Sequence, residues 1–109
     1  VSALESQAPP VTGPRALYSV AAAFDPVRGR LVVFGGFGQG GYSGDTWEWD
    51  GVTWTRTSVT GPEPRNSPVM VFDRRRNRMV LFGGDTRDRL FGDTWAYDGR
   101  SRAWTKLAD

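Results

Sequence analysis

One pattern of residues occurs twice in this chain, at an offset of 48 positions. Three motifs of the first half return in the same order in the second half. They are Phe24-Asp25 at Phe72-Asp73, Val33-Phe34-Gly35-Gly36 at Leu81-Phe82-Gly83-Gly84, and Gly44-Asp45-Thr46-Trp47 at Gly92-Asp93-Thr94-Trp95. Short apolar runs repeated every 40–50 residues are typical of repeat architectures, in which no unit buries its apolar faces alone. Each unit must therefore pack against another one.

The composition predicts an all-β chain. Among 109 residues there are 14 Gly, 7 Pro and 5 Trp, placed between short β-branched and aromatic runs. Asp50-Gly51 and Asp98-Gly99 each predict a tight hairpin. Four strands are predicted per unit: Tyr18–Phe24, Arg30–Phe34, Thr46–Trp49 and a strand with Trp54-Thr55, then Val69–Phe72, Arg78–Phe82, Thr94–Tyr97 and a strand with Trp104-Thr105.

The order of these motifs resembles the Kelch repeat of β-propellers, as in bacterial Kelch-like proteins and the central domain of galactose oxidase. The resemblance rests on the glycine pairs that end the second strand, the Gly-Asp-Thr-Trp entry to the third strand and the final tryptophan. It implies two four-stranded antiparallel blades, with strand one innermost and strand four outermost. The implied division is a lead-in over 1–14, a first blade over 15–60 and a second over 61–109.

Two blades do not close a propeller, because closure typically needs 4–8 of them. An isolated pair would expose an apolar face at each end, and monomeric proteins rarely expose large patches of this kind. We therefore expect a propeller completed by oligomerisation or by a missing remainder of the chain. Head-to-tail contacts close into a ring when the rotation allows it, and a homo-oligomer of three chains with six blades is the favoured form.

Residues that recur in both units are predicted to be structural. Arg15 and Arg65 open the units, and we expect them to bond carbonyls or a carboxylate between adjacent blades; the alternative is a grip on a ligand. Asp45 and Asp93 are expected to accept backbone N–H bonds that hold the preceding loop. The glycine pairs are predicted to have a steric role: Gly35, Gly36, Gly83 and Gly84. The recurring tryptophans are predicted to pack within or between blades rather than to stack on sugars: Trp47, Trp54, Trp95 and Trp104.

A binding function is expected where the two units differ. The loop between strands two and three is glycine-rich over 37–43 and charged over 85–91. In a blade this loop and the linker between blades lie on one rim, and loops on a rigid scaffold commonly carry recognition. The candidate binding residues are Phe37, Tyr42, Arg87, Arg89 and Phe91.

A calcium site in the second loop is disfavoured. Asp85, Asp88 and Asp93 offer oxygen ligands. Arg87 and Arg89 lie between them and would repel a cation. No metal or other cofactor is expected.

Charge and residue usage exclude several classes of function. The net charge is only +2, and acidic residues are interspersed among the clustered arginines, so a nucleic-acid partner is not expected. No apolar run is long enough to span a membrane. Cysteine and histidine are absent, which excludes Cys/His zinc sites, a His-based triad and the copper chemistry of galactose oxidase within this chain. The cellular compartment stays open.

The function predicted from the sequence is therefore a non-catalytic binding or structural module. It would assemble with other copies of itself and present the rim loops to a protein or a carbohydrate. Two alternatives stay open at this point. One is a propeller fragment whose only activity is assembly, and the other is a carboxylate-based enzyme site shared between chains.

Overall fold

The computed structural model describes residues 13–109 as two four-stranded antiparallel sheets, each with a separate small hairpin in the connection between its second and third strands. Residues 1–12, most of the predicted lead-in, lie outside the described residues. Blade 1 consists of β1 (Ala21–Asp25), β2 (Arg30–Phe34), β5 (Thr46–Trp49) and β6 (Trp54–Ser58), and its hairpin of β3 (Phe37–Gly38) and β4 (Gly41–Tyr42). Blade 2 consists of β7 (Val69–Asp73), β8 (Arg78–Phe82), β11 (Thr94–Asp98) and β12 (Ala103–Ala108), and its hairpin of β9 (Asp85–Thr86) and β10 (Arg89–Leu90).

The strands of each sheet are neighbours in the order in which they occur along the chain, as a meander. The all-β prediction with two four-stranded blades is confirmed. The predicted start of the first strand is wrong, because Ser19 has a positive φ of 57° and the strand begins only at Ala21. Tyr18 instead forms an isolated bridge with Phe37. The predicted loops between strands two and three contain the small hairpins.

The core lies between the two blades. Blade 1 contributes Ala21, Val32 and Phe34, and blade 2 contributes Met70, Met79, Leu81 and Tyr97. Trp104 packs edge-on against Phe34, with ring centroids 5.3 Å apart. Because successive side chains of a strand point to opposite faces of its sheet, only one face of each blade takes part in this core.

The outer faces of the two blades carry apolar side chains that the rest of residues 13–109 leaves exposed. Val69 and Phe82 are 62% and 53% exposed on blade 2, whereas Ala21 and Phe34, which occupy the same repeat positions in blade 1, are 4% and 0% exposed. Phe24 on the outer face of blade 1 is 56% exposed. As predicted, the pair of blades leaves an apolar face at each end.

Residues 13–109 contain no helix, and thus none with the length and hydropathy to cross a membrane.

Candidate binding rim

The small hairpin of blade 1 places two aromatic side chains on the rim of the molecule. Phe37 and Tyr42 face each other across the hairpin of blade 1, and their ring centroids are 4.7 Å apart. Gly36 precedes this hairpin with φ 106°, and a Cβ there would lie 2.9 Å from the Tyr18 carbonyl oxygen and 2.7 Å from Val20. Glycine is therefore required where the chain leaves β2 and turns onto the rim.

The rims of the two blades are joined by a hydrogen bond. The backbone N–H of Arg87 donates to the Tyr42 hydroxyl at 2.7 Å. Phe37, Tyr42, Arg87 and Asp88 line a cavity of about 450 Å³ between the hairpins. The Arg87 side chain makes no ion pair with any residue in 13–109, so its positive charge is free to meet a ligand. Three of the five predicted binding residues thus line one cavity, together with Asp88.

The other two predicted binding residues lie elsewhere. Phe91 is only 6% exposed and is held between two guanidinium groups, with Arg65 at 3.8 Å and Arg89 at 4.5 Å from the ring centroid. Arg89 also contacts both carboxylate oxygens of Glu63 at 3.1 Å. The interpretation of Phe91 as a rim contact is therefore wrong, because cation–π packing draws the ring into the blade.

A second hollow on the rim surrounds Tyr18, which is 75% exposed. Its volume is about 320 Å³, and its lining includes Leu17 and Gln39. The sequence predicted Tyr18 to lie inside the first strand and not on the rim. The exchange of backbone hydrogen bonds between Tyr18 and Phe37, at 2.7 and 3.0 Å, holds it there instead.

Arg65 joins the two blades, although not in the way predicted. Its guanidinium is fully buried inside blade 2, where it donates to Asp93 Oδ2 and to the Gly83 carbonyl, each at 3.0 Å. The connection to blade 1 comes from its backbone, since Gly36 N–H donates to the Arg65 carbonyl at 2.8 Å. The expectation that the side chain bridges adjacent blades is wrong for this residue.

Asp93 also differs from its predicted role. Its carboxylate accepts from the Arg65 guanidinium and from the Trp95 indole N–H at 2.8 Å, rather than serving mainly the backbone of the loop. The hydrogen bonds from Arg65 lower the pKa of Asp93 from an ordinary 3.8 to about 2. A carboxylate held in this way stays ionised, so it is not placed as a proton donor.

The same positions in blade 1 have other partners. Arg15 donates to the carbonyls of Gln39 and Gly41 at 3.0 and 3.2 Å in an exposed setting, within its own unit. Asp45 lies 3.9 Å from Arg56 and does not pair with Arg15. Arg15 and Arg65 are equivalent in sequence, but only Arg65 has a neighbouring blade packed on it.

A polar cluster that the sequence analysis missed crosses the boundary between the blades. The Glu48 carboxylate is completely buried and accepts two hydrogen bonds from the Arg28 guanidinium, at 3.0 and 2.8 Å, and one from the Tyr97 hydroxyl at 2.7 Å. Burial raises the pKa of Glu48, but these hydrogen bonds outweigh it and lower the pKa overall. The only signal in the sequence was an acidic residue in an otherwise hydrophobic and Thr-containing strand.

The tryptophans take part in packing on the blade faces. Trp104 lies against Tyr97 with ring centroids 5.0 Å apart, and Trp54 lies against Trp49 at 5.3 Å in the same arrangement. Trp47 and Trp95 are partly buried in the third strands. Within residues 13–109, no group of three or more acidic side chains, including Asp85 and Asp88, is arranged to hold a metal ion.

Two meandering four-stranded sheets, stacked face to face with their hairpins on one rim, define a pair of β-propeller blades. The chain belongs to the Kelch-repeat family, since the profile of the KLHDC2/KLHL20/DRC7 Kelch-repeats domain matches residues 1–109.

A solved structure described as "Structure of YjhT" is similar in fold, with a TM-score of 0.67 and 20% sequence identity. The alignment covers 89% of this chain and 29% of that one. The present chain therefore spans less than a third of the length of that structure. A search of curated proteins found no match.

Proposed function

We propose that this chain is a non-catalytic Kelch module that binds a macromolecular ligand at the rim cavity between its two hairpins. The observation that carries the proposal is the hydrogen bond from Arg87 N–H to the Tyr42 hydroxyl. It holds an aromatic pair from blade 1 beside Arg87 of blade 2, whose side chain has no ion-pair partner among residues 13–109. Concave sites lined by aromatic rings and a few polar groups are typical of ligand binding.

Of a protein and a carbohydrate, the chemistry of the cavity favours a protein. The Phe37 and Tyr42 rings contact each other at an interplanar angle of 52° and together offer an apolar surface against which an apolar side chain can pack. The guanidinium of Arg87 suits a carboxylate or a peptide carbonyl of the same segment. Aromatic residues and arginine are also the residues that contribute most at protein interfaces.

Assembly through the blade faces is the second part of the proposal. Val69, Val71 and Phe82 on the outer face of blade 2 are each more than half exposed. Contacts between this face and the outer face of blade 1 of another copy are heterologous and form a ring if the rotation closes. Three copies give six blades, a number within the usual range for propellers.

Peptide and glycan arrays, each screened with the intact chain, test the binding function. Phe37→Ala and Arg87→Ala should each abolish the signal of a bound probe, while Arg74→Ala, which removes an exposed arginine in the turn between β7 and β8, should keep it. Signals on glycans alone would assign the cavity to carbohydrate. The absence of any signal on both arrays would contradict binding and leave assembly as the only activity.

A further inference from the structure

We propose that blade 2 of one copy receives blade 1 of a second copy, with the indole of Trp49 seated over Ala96 and Leu107. The inference rests on the assembly proposed above and names the residues of the junction. It is drawn from the contact between the two blades within one chain, which serves as a template for the contact between chains.

The internal junction has a polar centre. The Tyr97 hydroxyl of blade 2 lies 2.7 Å from Glu48 Oε2 and 2.7 Å from Thr57 Oγ1, both on blade 1. Beside it, the Trp104 indole N–H donates to Thr46 Oγ1 at 2.8 Å. The Tyr97 hydroxyl and the Trp104 indole N–H of blade 2 thus each donate a hydrogen bond to an acceptor on blade 1.

Three of these positions change together at the free faces. Trp49 stands in blade 1 where blade 2 has Tyr97, so the incoming aromatic ring carries no hydroxyl. On the free face of blade 2, Ala96 stands at the position of Glu48 and Leu107 at the position of Thr57. The two groups that contact the Tyr97 hydroxyl inside the chain are therefore both absent from this face. A lone change would leave a buried polar group without a partner, which is costly, whereas the joint change replaces a polar contact by an apolar one.

The second hydrogen bond of the junction is retained. Thr94 stands at the position of Thr46, and Trp54 at the position of Trp104. Trp54 and Trp49 already have the mutual arrangement of Trp104 and Tyr97, with interplanar angles of 47° and 45° in the two blades. The indole N–H of Trp54 is therefore expected to donate to Thr94 of the second copy.

The free face of blade 2 has room for an indole. A cavity of about 360 Å³ lies over Ala96 and is lined by Arg76, Arg78 and Thr105. The Nε atom of Arg78 is buried and has no hydrogen-bond partner among residues 13–109. In blade 1 the corresponding arginines, Arg28 and Arg30, lie beside the Glu48 carboxylate. In the proposed junction the guanidinium groups of blade 2 lie beside the π face of Trp49 instead of beside a carboxylate.

The backbone at the rim is also open to a second copy. In blade 1 a Cβ on Gly35 would lie 2.8 Å from the Arg65 carbonyl of the neighbouring blade. On Gly83, the equivalent residue, it would meet only the Phe91 carbonyl, at 3.5 Å, among the described residues. The space that Arg65 fills inside the chain is therefore free for Arg15 of the next copy.

A cycle of variants in the full chain tests the junction. Ala96→Glu with Leu107→Thr restores the polar pair on blade 2, and Trp49→Tyr restores the hydroxyl on blade 1. The blade 2 pair alone and Trp49→Tyr alone should each weaken self-association by about tenfold or more, which corresponds to a loss of about 1.4 kcal/mol in the free energy of association. All three changes together should return the dissociation constant to within about threefold of the starting value. Sedimentation velocity over a concentration series measures it, and circular dichroism checks the fold.

A mixing experiment keeps the test decisive if a variant of the cycle folds poorly. Trp49→Arg blocks one face, and Leu107→Arg, at a position 43% exposed, blocks the other. Each variant should be monomeric alone, and an equimolar mixture should form a 1:1 dimer through the remaining intact faces. Variants that assemble like the parent chain would overturn the junction while leaving the proposed ring intact. A mixture that stays monomeric would overturn both, because a head-to-tail ring requires the two remaining faces to bind each other. A parent chain that is monomeric at all concentrations would instead overturn the assembly itself.

Discussion

The hydroxyl of Tyr97 donates a 2.7 Å hydrogen bond to the carboxylate of Glu48 across the boundary between the two blades. Both residues are almost completely buried, and each has only 1% of its surface exposed. Burial raises the pKa of Tyr97 above its usual value, so the hydroxyl keeps its proton and remains a donor. Together with the Arg28 guanidinium, it allows a charge to lie inside an otherwise apolar core.

Replacing Tyr97 by Phe should destabilise the chain by about 1–2 kcal/mol, because Glu48 loses a donor and the Thr57 hydroxyl a partner. Urea unfolding followed by fluorescence measures the change. Tyr18→Phe is the matched control, since Tyr18 is 75% exposed, and it should change the free energy of unfolding by less than about 0.5 kcal/mol. Equal effects of the two variants would contradict a structural role for the Tyr97 hydroxyl.

The Arg65→Lys variant should lose about 2–3 kcal/mol of stability, because a lysine cannot make the two-pronged contact with Asp93 and also reach the Gly83 carbonyl. Arg15→Lys is the control at the equivalent repeat position. Its guanidinium is exposed and bonds only to the carbonyls of Gln39 and Gly41, so we expect a melting temperature close to that of the parent chain. A similar loss in both variants would mean that the burial of Arg65 does not account for its contribution to the stability of the chain.

Stability should fall in acid. The pKa of Asp93 is about 2 in the folded chain against an ordinary 3.8, and that of Glu48 is also lowered. The unfolded chain thus binds protons first as the pH falls, so the stabilisation is complete above about pH 5 and is lost towards pH 2. Melting temperatures from pH 7 to pH 2 measure this loss.

The control for the acid transition is Asp88→Asn, which removes an exposed carboxylate that forms no ion pair within residues 13–109 and should leave the profile unchanged. Asp93→Asn should lower stability at pH 7 and flatten its dependence on pH. A parent chain equally stable at pH 7 and pH 2 would contradict the assignment of the low pKa values to Arg65 and Arg28.

A Gly36→Ala change separates steric packing from backbone strain. Gly36 and Gly41 have nearly the same φ, 106° and 100°, so alanine strains the backbone similarly at both positions, by about 1–2 kcal/mol. A Cβ on Gly36 would overlap Val20 and the Tyr18 carbonyl, whereas one on Gly41 meets nothing within 4 Å. We expect Gly36→Ala to cost at least about 1 kcal/mol more in urea unfolding. A smaller loss for Gly36→Ala than for Gly41→Ala would show that the rim relaxes around the added methyl group.

The amino-acid sequence by itself determined the two units, their strand pattern and the apolar faces at both ends. These properties depend on the repeat of 48 residues and on alternation within single strands, which can be read from near neighbours. The equivalence of Trp49 with Tyr97, and of Trp54 with Trp104, was visible for the same reason.

Only the tertiary structure decided what each repeated position does. Arg15 and Arg65 are identical in type and place, but Arg65 is buried because a blade packs on it and Arg15 is not. Glu48 became the polar centre of the core because Tyr97, 49 residues away, faces it across the junction. Phe91 lies between the guanidinium groups of two arginines and not on the rim. The physical reason is common to all three: burial and side-chain pairing depend on which surface lies opposite, and the local pattern of a strand does not contain that information.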